Sequence, residues 1–301
     1  MDNQIRVLIT GSNGLLGQKL VKRCLAKGIS FIATSKGENR NPDCPSDRYL
    51  EMDISNTLDI KKVFDFFYPT HVIHTAAITN VDYCEINKEE CHEVNVEAVK
   101  KLVQVSNTYH SHFQLLSTDF VFDGLKGNYK EDDQINPLSV YAKSKVDGEK
   151  YVQENANDWS ITRTIIVYGE GHNLSRSNIV LWAREALKTG NTLSIIDDQF
   201  RAPTWADDLA YGCLEVALRD KKGIFHLSGP ETMSVLEIVY KVADFYGFDK
   251  SVINIVKSDT LNQPAKRPPY TGFDLVKSRR ELDYNPKTIE QTLGLLSEMK
   301  D

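Results

Sequence analysis

One eight-residue run constrains this chain more than any other: Thr10-Gly11-Ser12-Asn13-Gly14-Leu15-Leu16-Gly17. It lies between an apolar pentad, Ile5 to Ile9, and an amphipathic stretch from Leu15 to Lys27. Buried strand, tight glycine turn, then helix is the order of one βαβ unit. Glycine allows φ > 0 at the turn and lets an anion approach the helix N-terminus, where free N–H groups and the helix dipole attract a pyrophosphate. The expectation is a dinucleotide cradled by Gly11, Ser12, Asn13, Gly14, Leu15, Leu16 and Gly17.

The rest of the first half repeats that alternation. Short apolar runs read as strands at Phe31–Ala33, Tyr49–Met52, His71–His74, Phe113–Ser117 and Ile161–Val167. Helical stretches fall between them at Thr57–Phe67, Glu89–Tyr109 and Tyr141–Asn155. Strands separated by helix-length segments predict an α/β fold, a doubly wound parallel sheet covered on both faces. After a Gly-, Asn- and Ser-rich loop at Gly169–Ser177 come helices near Ile179–Lys188, Trp205–Leu218, Val235–Tyr246 and Ile289–Met299, with a short strand at Phe225–Leu227. The proline-rich run 263–269 reads as an ordered loop. These patterns predict a nucleotide-binding domain from 1–168 plus about 202–225, and a smaller α/β substrate domain from 169–201 and 226–301, with the site in the crevice between them.

The end of the second strand bears on the choice of cofactor. Where an acidic residue would hold a ribose 2′-OH, the chain has Thr34-Ser35-Lys36, with Arg40 nearby. Ser35 and the Lys36 cation suit a 2′-phosphate, which favours NADP(H) over NAD(H). Asp53 and Ile54 follow the third strand, with Asp53 placed for the adenine amino group. Ala76 and Ala77, after the fourth, are small enough for a dinucleotide to pass.

Tyr141 and Lys145 are four apart on a predicted helix and share a face. An ammonium beside a phenol lowers the phenol's pKa, so the pair is expected to exchange a proton with a substrate oxygen. Thr118 runs off the end of the fifth strand, where ligands of parallel sheets sit, and is placed to hydrogen-bond a reacting carbonyl.

Composition excludes several classes. The 301-residue chain carries a formal net charge of −6, and its basic residues are scattered, so nothing draws it to nucleic acid. The five cysteines form no CxxC pair, which argues against a disulfide framework or zinc site and fits a reducing cytoplasm. No apolar run reaches the length of a membrane span, and no metal-ligand cluster stands out.

Taken together, the motifs resemble the extended short-chain dehydrogenase/reductase superfamily, and its dTDP-4-dehydrorhamnose reductase branch most of all. They are TGSNGLLG at 10–17, HTAAITNVDYCE at 74–85, VNVEAVKKL at 94–102, STDFVFDG at 117–124, PLSVYAKSKVDGE at 137–149, RTIIVYG at 163–169, DDQFRAPTWADDLA at 197–210 and KRPPYTGFDLVKSRREL at 266–282. The resemblance implies a Rossmann-type sheet and reduction of a 4-keto nucleotide sugar. It casts Tyr141 as proton donor, Lys145 as the residue that tunes Tyr141 and holds the nicotinamide ribose, and Thr118 as orienter of the carbonyl. It places Val81, Asp82, Thr118, Asp119, Gln199, Pro203, Thr204, Arg267 and Pro268 near the substrate. Phe120 stands where related 4,6-dehydratases carry a glutamate, which argues against dehydration.

Two positions depart from the branch. Arg201 replaces the usual glycine, and its guanidinium is expected to pair with a substrate phosphate; Pro269-Tyr270 replaces small polar residues. Some members of the branch are described as magnesium-dependent dimers, and the resemblance leaves room for both properties here. Two alternatives stand beside a reductase: a nucleotide-sugar epimerase that retains its cofactor, and a non-catalytic NADP-binding regulatory subunit, as in methionine adenosyltransferase.

Overall fold

The computed structural model describes residues 5–298, so the expected last helical residue, Met299, lies outside them. Seven strands form one parallel sheet: β1 (Arg6–Thr10), β2 (Ser30–Ser35), β3 (Tyr49–Glu51), β4 (His71–His74), β5 (His112–Thr118), β6 (Trp159–Thr164) and a final strand, Gly223–His226. Their spatial order is β3-β2-β1-β4-β5-β6, then the final strand. The direction of winding reverses between β1 and β4, where Thr10 lies opposite His74. Such a switch point opens a crevice at the carboxyl ends of the strands.

Alternating side chains explain why the strands read as continuous apolar runs. Leu8, Ile32, Val72, Phe113 and Ile161 join Ile60 and Phe64 of helix Thr57–Phe67 and Val99 and Leu102 of helix Ala98–Thr108. Their neighbours Val7 and Ile9 join a second cluster with Leu20 of helix Leu15–Ala26, Leu209 and Cys213 of helix Ala206–Leu218, and Phe273 and Tyr284. A third cluster, including Tyr168, Val180, Trp205, Val239 and Leu293, packs helices Ile179–Lys188, Val235–Tyr246 and Ile289–Glu298.

The structure differs from the sequence pattern in three places. The expected helix over 89–109 is Lys88–His92, a π-helical turn at Glu93–Glu97, and Ala98–Thr108. The expected strand over 161–167 stops at Thr164; Val167–Tyr168 instead pairs with Thr204–Trp205. The break is marked by Ile166, whose φ of 29° is left-handed, an uncommon setting for a β-branched residue. Short strands at Leu193–Ile196, Phe200–Arg201, Met233–Ser234, Ile253–Val256 and Tyr270–Thr271 escape periodicity because two to four residues show too little of it. Among the described residues, no helix is long and apolar enough to cross a membrane.

Candidate active site

A cleft of about 580 Å³ opens at the switch point. Its wall joins the glycine turn (Gly11, Asn13, Gly14, Leu15, Leu16 and Gly17) to Thr118, Tyr141 and Lys145. Residues separated by more than a hundred positions thus face one space.

The turn is built by close backbone packing. Gly11 has φ 71°, and a Cβ there would lie 2.7 Å from the nitrogen of Ala76. A Cβ on Gly17 would lie 2.5 Å from the Gly11 carbonyl oxygen. Ala76 therefore backs the turn, while Ala77 lines the cleft. The Ser12 hydroxyl is buried with no protein partner among the described residues. Asn13 works structurally as well: its N–H donates to Ser35 Oγ at 3.0 Å, and its carboxamide bridges the Glu38 carbonyl and the Arg40 N–H, both at 2.8 Å. Thr10 Oγ1 and His74 Nδ1, 2.7 Å apart, tie β1 to β4 across the switch point.

Lys36 stands at the end of β2 and pairs with Asp53 at 2.8 Å. The Asp53 carboxylate also accepts from the Ser55 N–H and hydroxyl at 2.9 and 2.7 Å. Burial works against the charge on Asp53, but hydrogen bonds from Lys36 and Ser55 prevail and pull the carboxyl down to about 2. Ile54 packs against the cluster of Leu8 and Met52. Ser35, Lys36, Asp53 and Ile54 lie outside the walls of the cleft, at or just past the carboxyl ends of β2 and β3.

Helix Val140–Asn155 presents Tyr141 and Lys145; its first turn is capped by Ser139 Oγ, which accepts from the Ala142 N–H at 3.2 Å. Both side chains are buried. Burial raises the Tyr141 pKa; the Thr118 hydroxyl opposes the rise, and the Asp119 charge adds to it. Burial also pushes the Lys145 ammonium down to about 8, against the opposing pull of Glu149. The expected lowering of the phenol's pKa is thus reversed, because loss of hydration dominates and the Asp119 charge acts in the same direction. The phenol holds its proton at neutral pH.

Thr118 ends β5. Its hydroxyl accepts from the Phe120 N–H at 3.2 Å and donates to Asp119 at 3.1 Å. Asp119 is buried, accepts from Thr271 Oγ1 at 2.5 Å, and lies 3.9 Å from Arg201 Nε. Burial raises its pKa, and the Arg201 guanidinium opposes the rise. Phe120 lines the cleft and meets Tyr141 edge-on, ring centres 6.1 Å apart.

The expected substrate residues divide. Val81 lines the cleft. Asp82 forms a forked ion pair with Arg267, at 3.1 and 2.7 Å, so each occupies the other. The expected pairing of Arg201 with a substrate phosphate gives way to a different arrangement. Arg201 is only 1% exposed, and its guanidinium donates to the carbonyls of Phe200 and Pro268, both at 2.7 Å, and to Gln199 Oε1 at 3.2 Å. A buried guanidinium must satisfy its donors inside the protein, and this one has done so. Gln199 is buried with it. Thr204 Oγ1 donates to the Ile165 carbonyl at 2.6 Å, fixing the break after β6.

Two features have no counterpart in the sequence reading. The segment 174–179, expected only as loop and helix start, lines the cleft with Leu174, Ser175, Arg176, Ser177, Asn178 and Ile179. Its sole sequence sign was a Gly-, Asn- and Ser-rich stretch following a strand. The second is Asn95, buried in the π-helical turn. Its carboxamide accepts from the Ile78 N–H at 2.9 Å and donates to the Ile78 carbonyl at 3.0 Å and Ser144 Oγ at 3.1 Å. Ser144 Oγ in turn donates to the Tyr141 carbonyl at 2.7 Å. One side chain thereby clamps the loop after β4, which carries Ala77 and Thr79 into the cleft, to the helix that carries Tyr141.

Comparison with known proteins places this architecture. The chain is 30% identical to a dTDP-4-dehydrorhamnose reductase of Aggregatibacter actinomycetemcomitans, over 96% of this chain and 97% of the relative. It is also 30% identical to the methionine adenosyltransferase 2 subunit beta of Danio rerio, over 92% of this chain and 84% of the relative. The crystal structure of a dTDP-4-dehydrorhamnose reductase from Clostridium acetobutylicum superposes with a TM-score of 0.86 at 28% identity, covering 98% of this chain and 99% of that one. The family model described as RmlD substrate binding domain matches residues 5–299, and the chain belongs to that family.

Proposed function

We propose that this protein is an NADPH-dependent reductase of a 4-keto nucleotide sugar, with dTDP-4-dehydro-L-rhamnose as substrate and dTDP-L-rhamnose as product. One observation carries the reading: the cleft lined by the glycine turn is also lined by Thr118, Tyr141 and Lys145. The turn fits a dinucleotide, since Gly11 and Gly17 leave no room for a Cβ and the Ser12 hydroxyl is buried without a protein partner among the described residues. Gly11 to Gly17 and Ala77 would hold the dinucleotide, residues 1–168 with about 202–225 forming its domain. Residues 169–201 and 226–301 would hold the sugar nucleotide. Lys36, with no carboxylate at the end of β2, supports NADPH over NADH.

A reduced nicotinamide held by the glycine turn and Ala77 would supply a hydride to the carbonyl carbon. Tyr141 Oη then gives its proton to the carbonyl oxygen, completing the alcohol. The Thr118 hydroxyl, which donates to Asp119 in the structure, would turn to donate to that oxygen and align it with the phenol. The Lys145 ammonium steadies the phenolate left behind until solvent returns a proton. Phe120 offers no second carboxyl, so elimination of water lacks its acid–base partner. The five buried free thiols suit a reducing cytoplasm.

The test mixes purified protein with NADPH and the keto sugar nucleotide. Net loss of the reduced nicotinamide's near-ultraviolet absorbance, with the alcohol as product, supports a reductase. Epimerisation without net loss would mean a retained cofactor. The likeness to methionine adenosyltransferase 2 subunit beta favours a second reading, a nucleotide-binding regulatory subunit. NADPH binding without turnover on any of a panel of keto sugar nucleotides would select it.

A further inference from the structure

We infer that Arg176 grips a diphosphate at the cleft, either the dinucleotide's or the nucleotide sugar's. The inference rests on the nucleotide reading of the cleft given above.

The segment carrying Arg176 is docked at the glycine turn. Gln18, in the first turn of the helix that starts there, accepts from the His172 N–H at 2.8 Å and donates to the His172 carbonyl at 2.7 Å and the Asn13 carbonyl at 3.1 Å. Asn173 Nδ2 donates to the Arg40 carbonyl at 3.3 Å. A Cβ on Gly171 would lie 3.0 Å from Gln18 Oε1, so the loop lies tight on the helix. The chain then continues along the cleft wall through Ser175, Arg176 and Ser177.

Among the described residues two cations line the cleft, Lys145 and Arg176. Lys145 is buried, and Lys36, outside the walls, is paired with Asp53. Arg176 is exposed and has no ion-pair or hydrogen-bond partner among the described residues. A reductase of this class must hold two diphosphates, one per ligand, and the backbone N–H groups of one glycine turn serve only one. The second needs a donor of its own. A guanidinium presents a planar fork that meets two phosphate oxygens at once, and one standing free in a cleft is already poised to do so.

Arg176→Gln and Arg176→Lys test this by calorimetric titration in two arms, NADPH alone and deoxythymidine diphosphate alone. Arg176→Gln is expected to weaken one ligand about 10- to 100-fold, with Arg176→Lys in between. The arm that responds names the source of the diphosphate. Because the side chain has no partner among the described residues, both variants should unfold at the wild-type temperature. Wild-type binding of both ligands with unchanged affinity in Arg176→Gln overturns the role of Arg176 and leaves the reductase reading standing. Binding of neither ligand by the wild type overturns both.

Discussion

Tyr141 keeps its proton because burial, reinforced by the Asp119 charge, outweighs the opposing hydrogen bond from Thr118. Lys145, one helical turn on, feels the same burial with the opposite consequence: its ammonium gives up a proton near pH 8 instead of near 10.5. Two predictions follow at this scale. Tyr141→Phe removes the proton donor and should lower reductive turnover about 10²- to 10⁴-fold with NADPH affinity unchanged, as steady-state rates and a binding titration will show. Unaltered turnover would strip Tyr141 of its role. The pH profile carries the second. Below about 8 Lys145 is charged and Tyr141 protonated, so turnover should be level; above it the ammonium is lost and turnover should fall. Lys145→Arg, whose charge persists, should push that decline to higher pH.

At the scale of elements, the π-helical turn explains how two distant segments are held in register. A regular helix over 89–109 would rotate Asn95 relative to its neighbours; the wider turn sets its carboxamide against both backbone groups of Ile78 and against Ser144. Such turns recur at functional sites. Asn95→Ala leaves the Ile78 N–H and carbonyl without that partner, at a cost of about 1–3 kcal/mol for each group left buried and unsatisfied. Urea unfolding should register the loss, and KM for NADPH should rise because Ala77 and Thr79 lose their anchor. A stable variant with unchanged KM would show that the clamp does not shape the cleft. The break after β6 is a related case: Thr204 holds the Ile165 carbonyl while Ile166, in the cleft wall, takes a left-handed φ. Strain of this kind persists only where surrounding structure enforces it.

For the whole molecule, buried ion pairs join the pieces that bear the site. Glu149, one turn past Lys145, forks onto Arg163 of β6 at 3.0 and 2.7 Å, and Arg163 also donates to the Glu131 carbonyl at 3.2 Å. Asp119 and Arg201 form a second buried pair beneath Thr118, shared with Thr271. Removing one member of such a pair strands a charge away from water. Glu149→Gln should therefore destabilise the fold by about 3–5 kcal/mol, while Glu149→Gln combined with Arg163→Met should recover much of the loss. Denaturant melts of the wild type, single and double variants measure the difference, and additive losses would refute the coupling. The pair also bears on chemistry, since Glu149 supports the charge on Lys145.

What the sequence by itself determined is what lies within one turn or one strand. The glycine spacing at 11, 14 and 17, the alternating strands and helices, and the four-residue step from Tyr141 to Lys145 are all local patterns, and their periodicity announces them. The tertiary structure alone decided the pairings made across the chain. Asp82 meets Arg267 185 positions away, Arg201 turns inward to Asp119 and Pro268, and Lys36 closes on Asp53. The sense of the Tyr141 shift belongs with these, because the water stripped from a side chain depends on every element packed around it. The wall formed by 174–179 came the same way, since a loop carries no period and its position is set by what it docks against, here Gln18.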